Sequence, residues 1–75
     1  MKAYGHRGDH SGVTHYESGE DYIKILFNNG AIYLYTNAIT GKKHIIQMKK
    51  LAEEGRGLST YVSQHVKDKY ATKLS

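Results

Sequence analysis

Residues 22–36 run Tyr22-Ile23-Lys24-Ile25-Leu26-Phe27-Asn28-Asn29-Gly30-Ala31-Ile32-Tyr33-Leu34-Tyr35-Thr36. Side chains alternate across a strand, so Ile23, Ile25 and Phe27 share one face of 22–27. Asn28-Asn29-Gly30 supplies residues that tolerate positive φ in a hairpin turn, and 31–36 returns as the second arm. The length of the turn decides where the tyrosines point. With a two-residue loop, Ile25 and Phe27 share a face with Ile32 and Leu34. Tyr33 and Tyr35 then turn outward with Tyr22, Lys24 and Leu26. A three-residue loop with a bulge slips the register by one and turns Tyr33 and Tyr35 into the core.

The pattern extends outward from this hairpin. Val13 to Tyr16 can begin a first strand, and Glu17-Ser18-Gly19-Glu20-Asp21 is a polar turn. Downstream, Thr40 is placed to cap a helix over about 41–54, whose apolar stripe is Ile45, Met48, Leu51 and Ala52. Gly55-Arg56-Gly57 ends that helix. Ser59 or Thr60 can cap a second one carrying Tyr61, Val62, His65, Val66 and Tyr70, after which the last residues are expected to fray. The expected fold is α+β: an antiparallel sheet of about three strands with two C-terminal helices packed on one face, in the order β-β-β-α-α. Residues 1–12, with Gly5, Gly8 and Gly12 and no periodicity, are expected to be a flexible N-terminal arm ahead of a domain over 13–75.

A chain of 75 residues holds one small domain, which excludes large enzyme folds. Cysteine is absent, so neither disulfides nor thiolate metal sites supplement the core. No apolar run approaches the ~18 residues of a membrane span, and the opening residues lack the apolar stretch of a signal peptide. A soluble cytoplasmic protein without cofactor or metal is expected. The net charge is +4. It is unevenly placed: residues 1–41 carry three bases against four acids (−1), and residues 42–75 carry eight against three (+5). A basic second half suits a polyanionic partner, although lysine-rich solvated helix surfaces give the same excess.

The stretch from Val13 to Leu74 resembles the KTSC domain, a short module found at the C-terminus of some lysyl-tRNA synthetases and alone in small bacterial and phage proteins. Tyr33-Leu34-Tyr35 matches its Tyr-x-Tyr signature, preceded by an alternating strand ending in Phe27 and by Gly30 in the turn. Gly55, Leu58, Tyr61, Val62 and Tyr70 follow its pattern of a Gly-containing break and a second helix. The chain departs from the family in lacking a Pro before the first helix, where it has Ile39-Thr40-Gly41. It also has Leu34 where the family usually has a polar residue, and that usual residue favours the inward arrangement of the tyrosines. The resemblance implies this fold and, through the RNA binding proposed for the family, a binding module.

Tyr33 and Tyr35 on one strand face can stack successive bases, or can pack as core and cross-strand residues. Lys42, Lys43, Lys49 and Lys50, with Arg56, Lys67, Lys69 and Lys73, can form a phosphate-contacting surface. His6, His10 and His15 lie in or beside the Gly-rich arm, where nothing fixes a metal geometry. His44 and His65 fall one per helix and can approach each other. No serine lies in a nucleophile elbow, and Glu53-Glu54 are adjacent on a helix, which is poor acid/base geometry. The expected function is therefore a non-enzymatic binding module for RNA or another phosphate-bearing ligand. Its candidate residues are Tyr33, Tyr35, Lys42, Lys43, Lys49, Lys50 and Arg56. The alternatives are a protein-interaction subunit and a small phage-type accessory protein that sequesters a nucleotide signal. An exposed second sheet face with Tyr22 and Leu26 suggests homo-oligomerisation.

Overall fold

The computed structural model describes residues 1–5 and 12–75. Among the described residues, five antiparallel strands form one sheet in sequence order: β1 (Lys2–Ala3), β2 (Val13–Ser18), β3 (Tyr22–Phe27), β4 (Ile32–Thr36) and β5 (Thr72–Lys73). Helix α1 spans Lys42–Glu54; α2, Leu58–Tyr61, continues directly into a π-helical segment, Val62–Val66. The α+β class holds, and the sheet has five strands where three were expected. The two additional strands are two residues each, too short to carry a period-two signal. β1 falls within the expected flexible arm, yet it pairs with β2, and the neighbouring Tyr4 is 3% exposed. Arm residues 6–11 lie outside the described residues. β5 is the tail expected to fray. It closes the free edge of β4, with Ala71 N donating to Leu34 O and Leu74 N donating to Ile32 O, both at 2.7 Å.

The central turn is the three-residue alternative. Phe27 N donates to Ala31 O and Gly30 N donates to Phe27 O, both at 2.9 Å, while the Asn29 side chain accepts from Ala31 N. Gly30 at φ 88° supplies the left-handed residue that this turn requires. The register that results pairs Ile25 with Tyr33 and Ile23 with Tyr35, so the tyrosines share the inward face with the isoleucines. A bulge between Val13 and His15 lets Val13 and Tyr16, three residues apart, both face inward.

The core lies between this face and the helices. It is built from Tyr4, Val13, Tyr16, Ile23, Ile25 and Tyr35 on the sheet side and Ile45, Met48, Ala52, Leu58, Val62 and Val66 on the helical side. The buried stripe of the second helical stretch is Leu58, Val62 and Val66, at i, i+4 and i+8. Of the expected stripe, Val62 and Val66 lie in the core and half-buried Tyr61 packs against it, while His65 and Tyr70 are exposed. Neither expected cap is used: Gly41 and Gly57 occupy the N-cap positions with no side-chain cap. Thr40, 4% exposed, instead donates through Oγ1 to Lys69 O at 2.5 Å, tying the start of α1 to the stretch after Val66. No helix among the described residues is long and apolar enough to cross a membrane.

Candidate functional site: an aromatic cleft and a separate basic helix face

Beyond the hairpin turn, β4 and the second helical stretch diverge around an open cleft of about 420 Å³. Its floor is aromatic, formed by Phe27, Tyr33, Tyr35 and Tyr70. Asn28 and Asn29 of the turn, Ser59 and Ser63 of the helical stretch, and the pair Lys67 and Asp68 supply its polar rim. The local sequence explains the layout. Ser59 and Ser63 are four residues apart on the helical surface, beside buried Val62. Tyr70 follows the helix and lies against Tyr33 because the chain turns there to run back along β4 as β5.

Tyr33 is the hub of the floor. Its ring centroid lies 4.8 Å from Tyr70, 5.7 Å from Phe27 and 6.5 Å from Tyr35, and Lys73 Nζ lies 5.9 Å from it on the cation–π side. Tyr35 is 1% exposed, so it forms the base of the cleft rather than a free stacking platform. Burial raises its phenol pKa well above the ordinary tyrosine value, with smaller contributions from Tyr33 and Tyr70. Tyr70 is 38% exposed and is the ring most open to a ligand.

The four lysines of α1 lie elsewhere. Lys42, Lys43, Lys49 and Lys50 occupy positions i−4, i−3, i+3 and i+4 around Ile46, which is 56% exposed. Together they form a basic face turned away from the core stripe of Ile45, Met48 and Ala52. Lys49 Nζ also donates to Glu20 O at 2.9 Å, anchoring the helix to the β2–β3 turn. Arg56 is exposed just after α1. None of these five bases lines the cleft. The structure therefore joins Tyr33 with Tyr35, and the four lysines with one another, but does not combine the two groups into one site.

Of the cleft lining, sequence reasoning assigns only Tyr33 and Tyr35 to a site; it gives Phe27, Asn28, Asn29, Ser59, Val62 and Tyr70 structural roles, Lys67 a place on the basic surface, and Ser63 and Asp68 no binding role. Their common signal would have been the inward register of Tyr33, which brings the segment after Val66 over the hairpin end. The second sheet face carries Tyr22, Lys24, Leu26, Ile32 and Leu34. There Tyr22 OH donates to Glu17 at 3.0 Å beside a 3.5 Å Lys24–Glu17 ion pair. The Tyr22 hydrogen bond and the Lys24 charge lower the Glu17 pKa. Among the described residues, no group of three or more His, Cys, Asp or Glu side chains is placed to hold a metal. No protein-family model, curated protein or solved structure matches the chain.

Proposed function

We propose that this chain is a non-catalytic binding module whose cleft takes a nucleotide unit, a planar base bearing phosphate, either free or within a single strand of RNA. The observation that carries the reading is the four-ring floor of Phe27, Tyr33, Tyr35 and Tyr70, with Lys67 on the rim and Lys73 over Tyr33. Aromatic faces stack any base and contribute about 1–3 kcal/mol each, a role open here to Phe27, Tyr33 and Tyr70 but not to buried Tyr35. Amide and hydroxyl groups such as Asn28, Asn29, Ser59 and Ser63 suit the edges of a base, which present both donors and acceptors. Lys67 and Lys73 are the cations within reach of an attached phosphate. On this reading the basic face of α1 is a second, sequence-blind contact that a long strand reaches and a single nucleotide does not. The KTSC resemblance, carried by Tyr33-Leu34-Tyr35 and the Gly55 break, belongs to the same proposal.

Equilibrium binding of a mononucleotide and of a single-stranded oligonucleotide across a salt series tests it. On a strand, two phosphate-facing lysines predict a log–log slope of about −1.4, steepening to about −4 when the four α1 lysines also engage; a mononucleotide, with no condensed counterions to release, shows a weaker dependence. Tyr70→Ala and Lys67→Gln, both at exposed positions, weaken binding of either ligand. A mononucleotide bound as tightly as the strand identifies a free nucleotide as the ligand. Binding indifferent to both substitutions, or no binding of either ligand, overturns the proposal and leaves the protein-interaction reading.

A further inference from the structure

On the side of the second helical stretch that meets α1, three rings converge. His44 of α1 and Tyr61 share a 2.6 Å hydrogen bond between His44 Nδ1 and the phenol oxygen. The ring centroids of Tyr61 and His65 are 4.5 Å apart, and those of His44 and His65 are 6.2 Å apart. The cleft lining includes none of the three, so this cluster is separate from the site above. It sits where α2 passes into the π-helical segment 62–66, a rare local geometry that recurs at functional positions.

We propose that His44 and His65 bind a divalent first-row transition ion of the imidazole-preferring class, such as zinc, nickel or copper, with Tyr61 as the positioning residue. The rings are near the spacing this needs: an ion about 2.0–2.1 Å from one nitrogen of each ring places the centroids roughly 5.2 Å apart at a tetrahedral angle, so His65 has about 1 Å to close from the observed 6.2 Å. His65 is exposed, so its ring can adjust to complete the geometry. The Tyr61 contact supplies the outer support that metal-bound histidines use. With Nδ1–H donating to the phenol oxygen, His44 Nε2 is left unprotonated as a ligand and the ring orientation is held. Two imidazoles leave positions open on a four-coordinate ion for water or for an anionic group of a bound molecule. Imidazole nitrogens select for zinc, nickel or copper over magnesium or calcium, which take oxygen ligands.

Zinc(II) titrated into the full chain near pH 7.5, followed by calorimetry and by the imidazole ring resonances, tests the site. The His44 and His65 signals are expected to shift together in the unsubstituted protein. His44→Gln and His65→Gln are each expected to weaken binding at least tenfold. Tyr61→Phe, which keeps the ring and removes only the oxygen, is expected to weaken it about tenfold or more. The double His→Gln variant measures whatever His6, His10 and His15 contribute. His44 and His65 rings unmoved by zinc, or a double variant that binds with unchanged affinity and stoichiometry, overturns the proposal.

Discussion

Tyr35, paired with Ile23 across the sheet and 1% exposed at the base of the cleft, has its phenol pKa raised by burial far above the value near 10 of an unfolded tyrosine. Folded and unfolded chains therefore hold different numbers of protons above pH ~10. The folded state keeps a proton that the unfolded state releases, so this contribution is complete below pH ~10 and declines as pH rises beyond it. Denaturant titrations between pH 8 and 11 should show falling stability, and Tyr35→Phe should show a shallower fall. Equal slopes would place the effect at Tyr22 or Tyr61, whose phenols are also raised. Tyr35→Ala removes a fully buried ring and should cost about 3–5 kcal/mol, a large part of the stability of so small a domain. Tyr70, 38% exposed and in contact with Tyr33, should behave oppositely. Tyr70→Ala should leave the free energy of unfolding within about 1 kcal/mol of the original, while ligand affinity falls by about 1–3 kcal/mol.

At the scale of the elements, two glycines with positive φ separate conformational strain from crowding. Gly30 has φ 88° and open space where a Cβ would stand, so Gly30→Ala bears the backbone cost alone, about 1 kcal/mol. Gly55 has φ 74°, and a Cβ there would meet Gly5 Cα at 3.0 Å. Gly55→Ala should therefore cost more than Gly30→Ala and should release the segment holding β1 and Tyr4. Paired thermal melts give the comparison; equal losses would refute the contact. The β3–β4 hairpin and α1 were legible in the sequence because each carries a full period of apolar residues and a turn or stop signal. The orientation of Tyr33 and Tyr35 was not, since Asn28-Asn29-Gly30 suits either loop length and one residue of slip inverts the face. The missed caps have a similar cause. Thr40 has a capping side chain, but a buried hydroxyl goes to whichever acceptor the tertiary fold supplies, here Lys69 O.

In the whole molecule, both edges of the sheet are two-residue strands contributed by the chain termini, β1 and β5. Neither is visible as a local pattern, because their order comes from the open edges of β2 and β4 rather than from their own residues. Native-state hydrogen exchange should accordingly find the Ala71 and Leu74 amides protected, since each donates to β4 at 2.7 Å. Exchange at free-peptide rates would return the tail to a frayed end. The cleft was hidden from sequence reading for the same reason: Phe27, Ser59, Lys67 and Tyr70 come together only once the tail folds back along β4. The grouping of the four α1 lysines was legible from helical spacing, but Lys67 and Lys73, read as part of the same surface, lie at the cleft instead. The central claim is that the aromatic cleft, and not the basic face of α1, receives the base. Amide chemical-shift mapping of the full chain during titration with a mononucleotide tests it most directly. The account predicts saturable shifts concentrated at Asn28, Asn29, Ser59, Ser63, Lys67 and Tyr70, with α1 nearly silent. Shifts centred on Lys42, Lys43, Lys49 and Lys50, with the cleft unchanged, would contradict it.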